Sequence, residues 1–277
     1  MRVSSSIVII VPTLNSFRLL PRLVNSLRSQ SWADWRIVFV DGNSNDEHRR
    51  WLLQCCQSDS RCSIMLQDPD SPGIFGAMSQ AFAAVDSRSW LLFWGSDDFA
   101  PSPLVLSELI SAVHEGQQSS PQPDLIVCRA RYVDDSTSQL GRETSFVSVH
   151  VQRILSISAR RYRKLLFFGA TPPHQATLFS PRIRQYLNKY TPGFRLSADL
   201  DYFLKISRCP DLVVNCLDLE LVHMGDGGIS GSQTWRRLRE VWRAYQSAFG
   251  LLGWLPFVMR YVRRFTHLLT TKYSLRR

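Results

Sequence analysis

The chain has 277 residues, 44% of them hydrophobic, with 14 glycines and 14 prolines; it can bury a full core, and this ordinary composition excludes a disordered protein. Its net charge of +10 would invite a nucleic-acid partner, but ten Lys/Arg against one acid, Glu240, fall within residues 235–277. That segment therefore holds +9 of the total, and the near-neutral body argues against a nucleic-acid surface.

SIVIIVPT, residues 6–13, is expected as a first strand buried on both faces. It has neither the basic n-region nor the cleavage-like site of a secretory signal, and no segment reaches the length of a clean membrane span. Leu19, Leu20, Leu23, Val24 and Leu27 follow at helical spacing. RIVFVDG is a second strand, DEHRRWLLQCC its helix and CSIMLQD a third strand. PGIFGAMSQAFAAV predicts a helix opening at Pro72-Gly73, with Ile74, Met78, Phe82 and Val85 on one face. SWLLFWGS is a fourth strand. Strands alternating with helices predict an α/β fold with a mostly parallel sheet flanked by helices, and such sheets bind ligands at the carboxyl ends of their strands.

Beyond Gly116 the pattern changes. A polar loop, EGQQSSPQPD, precedes the strand-like LIVCRARYV and TSFVSVHV, then a basic stretch, RILSISARRYRKLLFF. GATPPHQATLFSPR, a helix-like SADLDYFLKI, LVVNCLDLELVHM and the glycine-rich GDGGISGS complete this half. No internal repeat and no second independent domain is legible. The expected division is one domain over residues 1–232, with halves 1–116 and 117–232, and a basic helical tail over 233–277. The six cysteines form no zinc spacing and read as small buried hydrophobes in a reducing compartment.

The strand ends gather polar residues: Pro12, Thr13 and Asn15; Asp41 before Gly42; Asp68; and Ser96-Asp97-Asp98 after Gly95. Two adjacent carboxylates repel, so their pairing at a strand end points to a cation between them. A helix cap is the alternative, since prolines and an apolar pattern follow. No glycine-rich phosphate cradle occurs, so a metal is the obvious device for holding phosphates.

In order, IVPTLN, DGNSND, DPDSPGIFGAM, WGSDD, HQATLFSPR, SADLDYFLKI and GGIS resemble the family-2 glycosyltransferases of the GT-A fold, closest to bacterial enzymes of exopolysaccharide and lipopolysaccharide assembly. The resemblance implies a Rossmann-like donor half, a smaller acceptor-side lobe, and an inverting, metal-dependent transfer of the hexosyltransferase type. It implies a nucleotide-sugar donor, with a UDP-sugar as first expectation, a saccharide or lipid-linked saccharide acceptor, and Mg²⁺ or Mn²⁺. By the same match Pro12, Thr13 and Asn15 line the nucleotide pocket, and Asp41 accepts the imide N–H of the base. Asp68, Gly73, Ile74 and Met78 pack on the donor, Ser96 and Asp97 face the ribose or sugar, and Asp98 binds the cation. Asp199 takes the catalytic base position, with Asp201 its rival and a helix cap the plain alternative. His174 matches a recurrent His-Gln pair and reads equally as structural.

Two departures stand out: Ser79-Gln80 where the family often has Asn-Lys or Arg-Asn, and Gly76 where relatives often carry an acid. They leave open a non-catalytic nucleotide-sugar-binding or scaffold protein of the same fold, against which Asp98 and Asp199 together argue. In the tail, Trp254, Phe257, Val258, Tyr261, Val262, Phe265, Leu268 and Leu269 form a helical stripe, and residues 251–277 hold six basic residues and no acid. That pattern predicts an amphipathic helix on an anionic membrane surface, with a terminal helix packed on the core as the alternative. The implied location is cytoplasmic, or peripheral on the cytoplasmic face of the membrane.

Overall fold

Alternate residues of the first strand enter two different cores. Ile7, Ile9 and Val11 pack with one set of helices, Val8 and Ile10 with another, and all five are buried. A strand covered on both faces leaves no polar position, which is why SIVIIVPT reads as continuous apolar sequence. The computed structural model describes residues 6–86, 88–118, 121–134, 139–147, 154–225 and 234–263.

The first half alternates β1 (Ile7–Thr13), α1 (Leu20–Arg28), β2 (Trp35–Asp41), α2 (Asp46–Ser58), β3 (Cys62–Leu66), α3 (Ile74–Ala84), β4 (Trp90–Phe93) and α4 (Val105–Gln118). The second contains β5 (Leu125–Val133), β6 (Leu140–Thr144), β7 (Ile154–Ser158), α5 (Ala159–Phe167), β8 (Thr177–Phe179), α6 (Pro181–Tyr186), α7 (Ala198–Ile206), β9 (Val213–Gly225) and α8 (Thr234–Phe249). One nine-stranded sheet runs β3-β2-β1-β4-β8-β5-β9-β7, with β6 beside β5. β1 to β4 are mutually parallel, as are β5 and β9, while β8 runs antiparallel between β4 and β5. The sheet is therefore mixed, with most strands in one direction. Helices α1, α2 and α4 cover one face; α3, α5, α6, α7 and α8 cover the other.

Three details differ from the sequence reading. The β6 strand is Leu140–Thr144, not TSFVSVHV, of which residues 145–147 are irregular and 148–151 lie outside the described residues. The buried face of α3 is Ala77, Met78, Ala81 and Phe82, while Ile74 is exposed. In the C-terminal stripe, Phe257 and Tyr261 turn inward against the core, and Trp254, Val258 and Val262 stay exposed. Phe265, Leu268 and Leu269 lie outside the described residues, as do residues 226–233 with the GGIS motif.

Buried polar contacts lock the two halves together. Arg184 of α6, 5% exposed, donates to the carbonyls of Val85 and Asp86 at 3.1 Å and of Ser89 at 2.6 Å. Those carbonyls end α3 and lead into β4, so the guanidinium satisfies backbone that would otherwise be buried unpaired. The segment expected as a tail begins inside the core: Val241, Ala244 and Tyr245 of α8 are buried with α7. No disulfide forms among the six cysteines, five of them buried.

Candidate active site

Parallel pairing brings the ends of β1, β2, β3 and β4 to one rim, and hydrogen bonds knit the loops that leave them. Thr13 stands opposite Asp41 in register, and the Gly42 N–H donates to the Thr13 carbonyl at 2.9 Å. Asn15, in a left-handed conformation at φ 52°, receives the Asn45 N–H on its side chain and donates its own N–H to Ser44. Asparagine tolerates that backbone region better than most residues. On the other side Ser96 donates to the Pro12 carbonyl at 3.2 Å and receives the Ser16 hydroxyl at 2.9 Å. Pro12, Thr13, Asn15 and Ser96 thus form one braced surface, with Thr13 buried and Asn15 exposed.

Asp41 is 1% exposed and accepts the Ser44 N–H, the turn role its place before Gly42 gives it. His48 Nε2 lies 3.6 Å and Arg49 Nε 3.7 Å from its two oxygens. Burial holds the His48 imidazole below its usual range.

Residues 67–80 explain both family departures. Gln67 donates to the carbonyls of Ser71 and Gly73 at 2.7 Å, shaping the loop that holds exposed Asp68. Gly73 sits at φ +86°, where a side chain is strained, and starts α3. A Cβ at Gly76 would lie 1.9 Å from the Ser71 carbonyl oxygen, so the acid that the family resemblance would lead one to expect has no room. Ser79 receives the Tyr190 N–H, and Gln80 bridges the Asp68 N–H and the Leu66 carbonyl. These two side chains brace the fold. Met78 is buried in the core beneath α3, so its expected place against a donor is not on the surface of the rim.

The turn after β4 concentrates negative charge. Asp98 is 2% exposed and accepts the Gly95 N–H at 2.5 Å. A Cβ at Gly95 would meet the Asp97 carboxylate at 2.7 Å, so glycine lets the turn fold over both acids. Burial, then the charge of Asp97, raise the Asp98 pKa well above the usual carboxylate range. Such a group favours a proton or a cation. Among the described residues no cluster of three His, Cys, Asp or Glu could hold a metal by itself. Two carboxylates do suit an ion that takes its remaining ligands from a diphosphate and water, as Mg²⁺ commonly does. The turn is anchored behind by Trp94, which donates to the Gln175 carbonyl at 3.1 Å, and by Phe99, bridged to His223 of β9.

His174 links this strand to α7. Its ring stacks on Phe93 at 5.2 Å, lies 6.1 Å from Phe203 of α7, and its Nε2 is 2.6 Å from the Tyr190 hydroxyl. Burial lowers its pKa to about 4, opposed by the charge of Asp199, which also reaches Tyr190. The structural reading of His174 is the one this packing supports. Tyr190 carried no signal in the sequence; only the fold brings it to His174.

The two acids of α7 differ sharply. Asp201 is buried, accepts the Thr191 hydroxyl and pairs with Lys205 at 3.1 Å. Asp199 is half-buried, and among the described residues its carboxylate accepts no hydrogen bond. Ser197 makes no side-chain cap. Asp199 therefore remains available for chemistry where Asp201 is committed to structure.

With this geometry in view, residues 8–184 match the family model described as Glycosyl transferase family 2. A "PGL/p-HBAD biosynthesis glycosyltransferase" of Mycobacterium bovis (strain BCG / Pasteur 1173P2) is 25% identical over 228 residues, covering 81% of this chain and 78% of the relative. Among solved structures, S. aureus TarS 1-349 in complex with UDP-GlcNAc superposes with a TM-score of 0.66 at 15% identity, over 88% of this chain and 67% of that one. The mannosyltransferase PcManGT from Pyrobaculum calidifontis, in complex with GDP-Man and Mn²⁺, gives 0.58 at 14% identity, over 92% and 69%. At these identities the two structures establish the GT-A fold.

The His174 environment has a pH signature. An imidazole at about 4 when folded and near 6.5 when unfolded takes up its proton only in the unfolded chain between those values. Its contribution to stability is intact above pH 6.5 and is lost as pH falls to 4, about 3 kcal/mol in all. Urea unfolding from pH 7.5 to 4 should show that loss, and His174→Gln should flatten this part of the profile.

Proposed function

The chain belongs to glycosyl transferase family 2, and on that premise we propose that it is an inverting, metal-dependent enzyme moving a hexosyl group from a nucleotide-sugar to an acceptor hydroxyl. The observation that carries this reading is the pairing, in one chain, of a buried, charge-stressed Asp98 after β4 with an uncommitted Asp199 on α7, while Phe93 of β4 and Phe203 of α7 both contact the His174 ring. The same pairing argues against a scaffold that has lost turnover.

In this reading residues 1–116 hold the donor and 117–232 present the acceptor. Asp41 accepts the imide N–H of the base, which suits a UDP-sugar first. Pro12, Thr13 and Asn15 frame the nucleoside, and Asp68, Gly73 and Ile74 bound the donor. Ser96 and Asp97 face its ribose or sugar. Asp98, with Asp97 beside it, would hold Mg²⁺ or Mn²⁺, which when bound neutralises the charge of the departing diphosphate. Asp199 takes the proton of the acceptor hydroxyl as its oxygen attacks the anomeric carbon. The bond from that carbon to the diphosphate oxygen breaks on the opposite face, and the nucleoside diphosphate carries away the electron pair. The acceptor in this reading is a saccharide or lipid-linked saccharide, in cell-surface polysaccharide or glycolipid assembly; the similar Mycobacterium bovis protein is itself named for PGL/p-HBAD biosynthesis.

We further read the C-terminal segment as a peripheral attachment to the cytoplasmic face of a membrane. No helix of the described residues is long and apolar enough to span one. Leu251 is 95% exposed and Leu252 62%, next to exposed Trp254, Val258 and Val262. Water is a poor solvent for such a face, whereas an interfacial helix buries it among headgroups, with basic residues drawn to anionic lipid at about 1 kcal/mol each.

Purified protein screened against UDP-, GDP- and dTDP-sugars with Mn²⁺ should show stabilisation and slow donor hydrolysis. Asp98→Asn should abolish metal-dependent binding; donor affinity unchanged by chelator would refute the metal role. Asp199→Asn should keep donor affinity within a few-fold while lowering turnover about a hundredfold or more. The same loss from Asp201→Asn alone would reassign the base. For the membrane, flotation with liposomes should rise with phosphatidylserine content and fall with salt. The full chain carrying Leu251→Asp and Trp254→Asp should float poorly, and undiminished flotation would remove that surface from the reading.

A further inference from the structure

Glu240 is the single acid of a strongly basic segment, and it is buried at 7% exposure on α8. Its carboxylate points at backbone. One oxygen accepts the Arg195 N–H at 3.0 Å; the other accepts the N–H groups of Leu196 at 2.8 Å and Ser197 at 2.9 Å. Consecutive amides converging on one anion make a strong, charge-assisted contact. Arg243, one helical turn on, lies 4.0 Å over the Phe194 ring and donates to the Pro192 carbonyl. Two turns of α8 thus grip residues 192–197, the loop that enters α7.

Asp199 sits two residues beyond the last clamped amide, in the first turn of α7. Ser197, at the start of that helix, has no side-chain cap, so the entry is held from outside by α8 rather than by its own sequence. We propose that Glu240 is a positioning residue for the transfer: by fixing the Arg195–Ser197 amides it sets where the Asp199 carboxylate meets the acceptor hydroxyl. This rests on Asp199 being the base. A carboxylate is required because its two oxygens accept three N–H groups. Glutamine would offer one oxygen and turn an NH₂ toward an amide that needs an acceptor.

The test compares wild type, Glu240→Gln, Asp199→Asn and the double variant as full chains, using the sugar nucleotide that wild type hydrolyses with Mn²⁺. Glu240→Gln should lower kcat about tenfold or more with donor KM within about twofold, since small misplacements of a catalytic group are costly. A purely structural role would lower the melting temperature and the active fraction while leaving kcat per folded site unchanged, and that result would overturn the proposal. In the double variant the Glu240 effect should vanish, because the group it positions is gone; a fully additive loss would also overturn it. If Asp199→Asn keeps full turnover, the base reading itself fails. If Asp199→Asn is inactive and Glu240→Gln keeps its kcat, only the positioning role fails. Should Glu240→Gln not fold, Arg243→Gln loosens the same loop from an exposed position, and a smaller kcat loss is expected; unchanged kcat there counts against the proposal.

Discussion

Asp98 is a carboxylate buried beside a second carboxylate, and most of the site's construction follows from that electrostatic cost. Its carboxylate accepts the Gly95 N–H, which is available because Gly95 has no side chain to collide with Asp97. Around that turn the chain places ties. Ser96 reaches back to β1, Trp94 to the Gln175 carbonyl, and Phe99 across to β9. A turn free to relax would let the acids separate into water. Held this way, it keeps them together in an environment that favours a cation.

The same ties bind the halves of the chain. β8, from the second half, lies between β4 and β5, so the strand bearing the acids has a later segment as its neighbour. Arg184 then closes the backbone between α3 and β4 from α6. Aromatic packing continues the connection: Phe82, Phe93, His174, Phe179, Tyr190, Tyr202 and Phe203 form one contiguous cluster under the rim. Such packing transmits position well because it has few alternative arrangements. The helix that carries Asp199 is held on one side by this cluster and on the other by α8.

Ser79 and Gln80 show how local chemistry can be reassigned without losing the fold. At the positions where the family resemblance leads one to expect Asn-Lys or Arg-Asn, this chain uses a hydroxyl to receive the Tyr190 N–H and an amide to hold the exit of β3. A basic phosphate contact is absent at these two positions. In the proposed chemistry, holding the diphosphate would then fall more heavily on the acidic turn and the cation proposed for it.

Short-range features were legible in the sequence. Apolar runs such as IVIIVP and WLLF announced buried strands, helical spacing announced α1, and polar residues at strand ends marked the rim, because these signals depend on neighbours within a few residues. The family motifs added the identities of the acids. Only the tertiary structure decided which of two acids on α7 stays available, since that depends on Thr191 and Lys205 around Asp201. It also decided that His174 is a buried partner of Tyr190, that Met78 belongs to the core, and that Phe257 and Tyr261 turn inward. Glu240, in a segment whose composition reads as a basic amphipathic tail, is the sharpest case. Its partners are amides more than forty residues earlier in the chain, and no local pattern encodes a hydrogen bond that exists only once α8 has packed on α7.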